Sequence, residues 1–188
     1  MANKPALLVV DMLNDFCIGK GPVCVPYGKD LIPKIRDIIE WNPNLTVIHA
    51  VDFHFENDPE LKRWPRHAIQ GTEGAEIVKE LQFPGRLRVH RVEKRTIDCF
   101  YKTRLADLIE GLYIKHLIIV GVVSNICVLA AIHGAFIRNY KITAIEDCIR
   151  AFDPAGQAVT RYQAQNVYQI DWWETWDQEK FTSQFTEL

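Results

Sequence analysis

Asp11, Lys94 and Cys127 each stand at or just beyond the end of an apolar run, in LLVVD, VHRVEK and LIIVGVVSNIC. In open parallel sheets the ligand crevice lies beyond the carboxyl ends of the strands, so polar groups that terminate apolar runs carry more weight than polar groups elsewhere. A free thiol is only slightly ionised at neutral pH and the thiolate is the nucleophile, so a reactive Cys127 needs a helix N-terminus, a cation or a base. The segment VVSNICVLAAIHGAF (122–136) puts it in the first turn of a helix, where free N–H groups and the dipole favour negative charge. The backbone amides of Cys127 and of Val123, in the turn before it, supply the two donors that an oxyanion hole requires. Asp11 is then the group that takes the thiol proton and passes it to a leaving group, while Lys94 supports the thiolate and holds the carboxylate. Singly, each residue has a plainer reading: Cys127 as apolar filler, Asp11 as a turn cap, Lys94 as a surface charge. Their joint occurrence at three strand ends is what favours chemistry.

A second constellation lies in VDFHFENDPELKRWPRHAIQGT. Asp52 and His54 alternate, so in an extended segment their side chains share one face. His67 sits in the irregular loop beyond and can fold back to meet them. One carboxylate and two imidazoles leave positions open on a divalent metal for water or substrate. The DxH pair alone reads more simply as a loop cap and a surface histidine. His49 and His90 lie inside apolar strands and His133 on an apolar helix, so all three are read as structural. Cys17, Cys24, Cys99 and Cys148 are read as packing residues.

The elements that must position these residues alternate between buried strand and amphipathic helix, the sign of a mostly parallel sheet. Strands are expected over 6–13, 45–53, 86–93, 116–123 and 141–149, with helices over 28–42, 103–112, 125–139 and 153–167. A short helix is expected over 75–81. Thr103 and Asp153 are candidate helix caps, and Pro154 suits a first helical position. The tail from Tyr168 has no clear period, and its Trp172, Trp173 and Trp176 are expected to cover apolar surface on this chain or on a neighbouring subunit.

A length of 188 residues suits one domain spanning 1–188, with 48% hydrophobic and 24% charged residues. With 22 basic against 24 acidic residues and no Lys/Arg run, the chain lacks the electrostatic footprint of nucleic-acid binding. Its apolar stretches fall short of the ~20 residues of a membrane span, and no signal pattern precedes PALLVV, which points to the cytoplasm. The five scattered cysteines, without CxxC spacing, are expected to be reduced thiols.

The segments ALLVVDMLNDFC, EKRTIDCFYKTRL and IIVGVVSNICVLAAIHGAF resemble the three signature blocks of the isochorismatase-like cysteine hydrolases, a family that includes nicotinamidases and N-carbamoylsarcosine amidase. The resemblance implies a three-layer α/β/α Rossmann-like fold, a catalytic Asp11, Lys94 and Cys127, and a cis peptide at Val122–Val123. It also implies assembly as a homodimer or homotetramer. The block from Asp52 to Glu76 resembles the nicotinamidase metal loop, in which an aspartate and two histidines bind zinc or a similar ion that ligates the pyridine nitrogen; Asp52, His54 and His67 occupy the matching places. Phe16 and Trp64 would hold an aromatic ring between them, although Trp64 reads equally as loop packing. Asp98 matches a family position expected to hold neighbouring backbone or Lys94. The loop departs from the resemblance in being compact and in admitting Glu56, Asp58 and Glu60.

The activity so implied is hydrolysis of a small amide to an acid and ammonia through a thioester, with nicotinamide first among substrates and N-carbamoyl compounds as an alternative. Isochorismatase chemistry, a vinyl ether hydrolysis, does not use a nucleophilic cysteine, and Cys127 speaks against it. A catalytically silent scaffold member is the remaining alternative.

Overall fold

A computed structural model describes residues 4–185. Its strands are β1 (Pro5–Val10), β2 (Thr46–Asp52), β3 (Val89–Lys94), β4 (His116–Val122), β5 (Lys141–Arg150) and β6 (Asp171–Trp173). They form one sheet in the order β3-β2-β1-β4-β5-β6, every neighbouring pair parallel. The helices are α1 (Asn14–Cys17), α2 (Leu31–Trp41), α3 (Leu105–Gly111), α4 (Leu129–Phe136), α5 (Pro154–Tyr162) and α6 (Gln178–Gln184).

Strand β1 is buried along its whole length, as a central parallel strand covered on both faces must be. Its side chains alternate between two cores: Leu7 and Val9 pack with Leu31, Ile35, Ile38 and Ile39 of α2, while Ala6, Leu8 and Val10 pack with Leu105 of α3 and Ala131 and Ile132 of α4. Burying each of the four α2 aliphatic side chains contributes about 1.5–3 kcal/mol, which is what holds this helix on the sheet. The three-layer expectation stands.

The sheet order reverses between β1 and β4, and there the two strands run unusually close. Gly121 pairs with Val10 at φ +116, and a Cβ on it would lie 2.1 Å from the Val10 carbonyl oxygen. Only glycine fits that approach. Immediately after it the Val122–Val123 peptide is cis, as the resemblance implied.

Three expectations about elements change. The segment 75–81 is not a helix: two single 3-10 turns, Glu73–Ala75 and Lys79–Leu81, flank an extended stretch whose Ile77 bridges Leu13. The helix expected over 125–139 begins as a π-helical turn, Ser124–Val128, and becomes α-helical only at Leu129. The tail supplies a sixth strand and a helix, and its tryptophans cover this chain's own surface. Trp172 donates from Nε1 to Glu146 at 2.7 Å, Lys180 lies over the Trp173 ring, and Trp176 meets Phe181. Asp153 caps α5 through the Gly156 amide at 2.7 Å, and Thr103 Oγ1 accepts from Leu105 N at 3.2 Å.

Candidate active site

The reversal of strand order places the ends of β1, β2, β3 and β4 around one crevice, where ligands bind in open α/β sheets. Asp11 follows β1 with a left-handed φ of 48°, a conformation an aspartate tolerates better than most residues. Asp52 ends β2, Lys94 ends β3, and Cys127 sits in the π-helical turn after β4. All four are at most 4% exposed. Lys94 Nζ lies 2.8 Å from Asp11 Oδ2, 2.5 Å from Asp52 Oδ1 and 3.5 Å from Cys127 Sγ. The Asp52 amide donates to Asp11 Oδ1 at 2.7 Å, locking the two carboxylates around a shared cation.

The electrostatics follow from this packing. Burial acts to lower Lys94, but Asp11 and Asp52 outweigh it and hold the ammonium well above its ordinary range. Burial acts to raise Asp52, and Lys94 with His54 and His67 overcomes it, so Asp52 stays ionised. Asp11 is raised to about 6 by burial and then by the Asp52 charge, against the opposing pull of Lys94. Cys127 departs from expectation. Burial pushes its thiol well above the usual range, and the lowering effect of Lys94 is offset by Asp11 and Asp52. Burial thus favours the thiol over the thiolate, and Lys94 Nζ donates to Sγ at 3.5 Å.

Beside this cluster Asp52, His54 and His67 come together as their sequence positions suggested. His54 Nε2 is 3.6 Å from Asp52 Oδ1, and His67 Nε2 is 3.6 Å from Asp52 Oδ2. Each imidazole presents Nε2 because its Nδ1 faces an acceptor: Asp58 Oδ2 at 3.2 Å for His54 and the Pro65 carbonyl at 2.6 Å for His67. Burial acts to lower His67, yet Asp52 and the Pro65 carbonyl outweigh it and raise its basicity. His54 Nε2 is buried without a hydrogen-bond partner, an unspent lone pair aimed at the cluster. Glu60, raised by burial and then by Asp52, brings a fourth donor, a second carboxylate oxygen, so that one donor atom from each of Asp52, His54, Glu60 and His67 lies within 4.8 Å of all the others. Two imidazoles and two carboxylates fit a borderline divalent ion such as zinc.

Sequence reasoning counted Glu60 and Asp58 only as acidic departures, because nothing in their spacing shows that the 3-10 turn Pro59–Lys62 directs Glu60 inward. It also passed over Asp15, whose Oδ2 accepts from the Ala68 amide at 2.8 Å and so ties the His67 segment to α1. Asp98 holds backbone, accepting from Phe100 N at 2.8 Å, while Lys94 is taken up by Asp11, Asp52 and Cys127. Of the histidines read as structural, His49 is buried, whereas His90 is half-buried and His133 is exposed and pairs with the Tyr168 hydroxyl at 3.3 Å.

Phe16 and Trp64 both line the cleft over Cys127, with Val123, Ile126, Ile97 and Phe152. The half-open cleft has a volume of about 20 Å³, room for about one water molecule. Trp64 and Ile97, 37% and 40% exposed, are the solvent-facing side of this lining. A larger groove of about 620 Å³, lined by Arg150, Gln157 and Tyr27 among others, adjoins through Phe152 but carries none of the four buried groups.

A buried thiol, lysine and carboxylate pair at the switch point of a six-stranded parallel sheet defines an α/β protein of hydrolase type. The chain belongs to the isochorismatase family, whose Isochorismatase domain matches residues 5–172. It is similar to the nicotinamidase of Escherichia coli, 28% identical over 176 residues, covering 77% of this chain and 82% of that one. Among solved structures it resembles the N-carbamoylsarcosine amidase of Thermoplasma acidophilum, at 30% identity, TM-score 0.80, and 90% and 95% coverage of the two chains. It likewise resembles the pyrazinamidase of Pyrococcus horikoshii in complex with zinc, at 26% identity, TM-score 0.82, and 90% and 98% coverage.

Proposed function

We propose that this chain is a cysteine-dependent amidohydrolase that cleaves a small amide, nicotinamide first, to the acid and ammonia. The observation that carries the reading is the meeting of Asp11 and Cys127 on Lys94 Nζ, at 2.8 and 3.5 Å, at the switch point. Because burial favours the thiol, Asp11 takes the thiol proton as sulfur attacks the amide carbon, and Lys94 balances the charge that appears. The amides of Val123 and Cys127 receive the developing oxyanion. Asp11 then returns the proton to the departing nitrogen, ammonia leaves, and a water deprotonated by the same carboxylate hydrolyses the thioester. Phe16 and Trp64 hold the ring of the substrate. A zinc or similar ion held by Asp52, His54, His67 and Glu60 would supply a Lewis acid to orient a pyridine nitrogen or a water.

The likeness to the Thermoplasma amidase favours a second reading, in which the substrate is an N-carbamoyl compound. Ammonia release from nicotinamide, pyrazinamide and N-carbamoyl compounds, measured before and after chelation, separates the two. Nicotinamide turnover that is lost on chelation and restored by zinc is expected. Turnover confined to carbamoyl compounds moves the substrate, and nicotinamide turnover indifferent to metal removal dismisses Asp52, His54 and His67 as a substrate-orienting site.

A further inference from the structure

Asp58 is 2% exposed, and three groups converge on its Oδ2: His54 Nδ1 at 3.2 Å, the Phe55 amide at 3.1 Å and Arg95 Nε at 2.9 Å. Arg95 also donates from a terminal nitrogen to Oδ1, which makes the pair two-pronged, and its guanidinium lies 4.5 Å from the centre of the Phe55 ring. A buried carboxylate with so little access to water persists only if its charge is matched, and Arg95 matches it. The carboxylate can only accept, so the bonding pattern assigns the His54 proton to Nδ1 and leaves the lone pair on Nε2, the atom without a partner that faces Asp52. Arg95 directly follows Lys94, which ties the orientation of His54 to the strand that carries the buried ammonium.

We infer that Asp58 and Arg95 form a positioning pair that fixes the tautomer and ring orientation of His54 for metal binding, without themselves touching metal or substrate. The inference rests on the metal reading of Asp52, His54, Glu60 and His67. Carboxylates behind metal-bound histidines commonly raise metal affinity by 10–100-fold, and that is the size of effect expected here.

Zinc affinity of the full chain, stripped of metal and titrated against a competing chromogenic chelator, tests it. Asp58→Ala is expected to weaken zinc 10–100-fold, and Arg95→Gln, whose side chain is half exposed and whose loss leaves Asp58 in place, about 10-fold. Glu56→Gln, at an exposed position on the same loop, serves as control and should bind as the unmodified chain does. A merely structural role is excluded by a double-mutant cycle: in a His54→Ala background, Asp58→Ala should cause no further loss of affinity. Cobalt(II) absorption spectra that change in Arg95→Gln but not in Glu56→Gln would add support from the coordination sphere itself. If the unmodified chain binds zinc and both variants bind within twofold of it, or if the losses from His54→Ala and Asp58→Ala simply add, the positioning role is overturned. Failure of the unmodified chain to take up zinc would overturn the metal reading and this inference with it.

Discussion

Replacing Lys94 with methionine keeps most of the volume of the side chain and removes its charge, leaving Asp11 and Asp52 as two buried carboxylates joined by one backbone hydrogen bond. Nζ sits 2.8 Å and 2.5 Å from the two acids, and all three side chains are 2% exposed or less. Removing one partner from a buried ionic cluster costs about 3–5 kcal/mol, because the remaining charge is left uncompensated. For a chain of this length each kcal/mol lowers Tm by about 2–4 °C, so a fall of about 6–20 °C is expected in metal-free protein. The loss should depend on pH, and its sign is fixed by linkage. Without Lys94 the folded-state pKa of at least one carboxylate lies above its unfolded value, so the penalty is fully present above the folded pKa and is relieved as pH falls through it. Asp11 already stands at about 6 with Lys94 present, which places the relief at or above that pH. Calorimetric scans of the metal-free variant and its parent at about pH 8 and about pH 5 make the comparison, the gap narrowing at the lower pH. A gap below about 1 kcal/mol at pH 8, or one that does not change with pH, would refute the claim that Lys94 is the cation balancing both acids.

Other consequences follow from the same geometry. Gly121→Ala sets a Cβ 2.1 Å from the Val10 carbonyl at a left-handed φ, so the variant should fail to yield folded protein by circular dichroism, whereas Gly71→Ala, with open space around it, should cost little more than its own backbone strain. His49 is buried and lowered to about 4 by burial, so the stability it confers is complete above pH 6.5 and is lost as pH falls toward 4. The amount is about 3 kcal/mol, and His49→Gln should therefore lose less stability than its parent between those pH values in denaturant titrations. Asp11 serves as a base only when ionised, so kcat/KM of the ammonia-releasing reaction should fall as pH drops through about 6, and a profile flat to pH 5 would remove Asp11 from that role.

The parts of the site that were legible in the sequence are those set by strand ends. LLVVD ends a run whose apolar side chains bury it on the sheet, VHRVEK ends an edge strand that buries Val92 and Lys94, and the carboxyl end of a parallel strand has one place to go. Asp52 and His54 were readable for a similar reason, since extended backbone fixes which side chains share a face. Glu60 and Asp58 were not, because a compact loop with 3-10 turns carries no period from which direction follows. Strand β6 escaped notice because three residues are too few to show alternation, and its place is set by pairing with β5. The upward push of burial on the Cys127 thiol was not legible for a different reason. A helix terminus and a lysine both favour the anion, but the depth of burial and a second carboxylate, Asp52, enter only when the strands are assembled.

The central claim, that the Cys127 sulfur attacks the amide carbon, is tested most directly by ammonia release from Cys127→Ala beside the unmodified chain, under conditions in which the latter turns over its best amide. A variant that keeps its fold and releases no ammonia above background is the outcome predicted here. Release at an undiminished rate would contradict it.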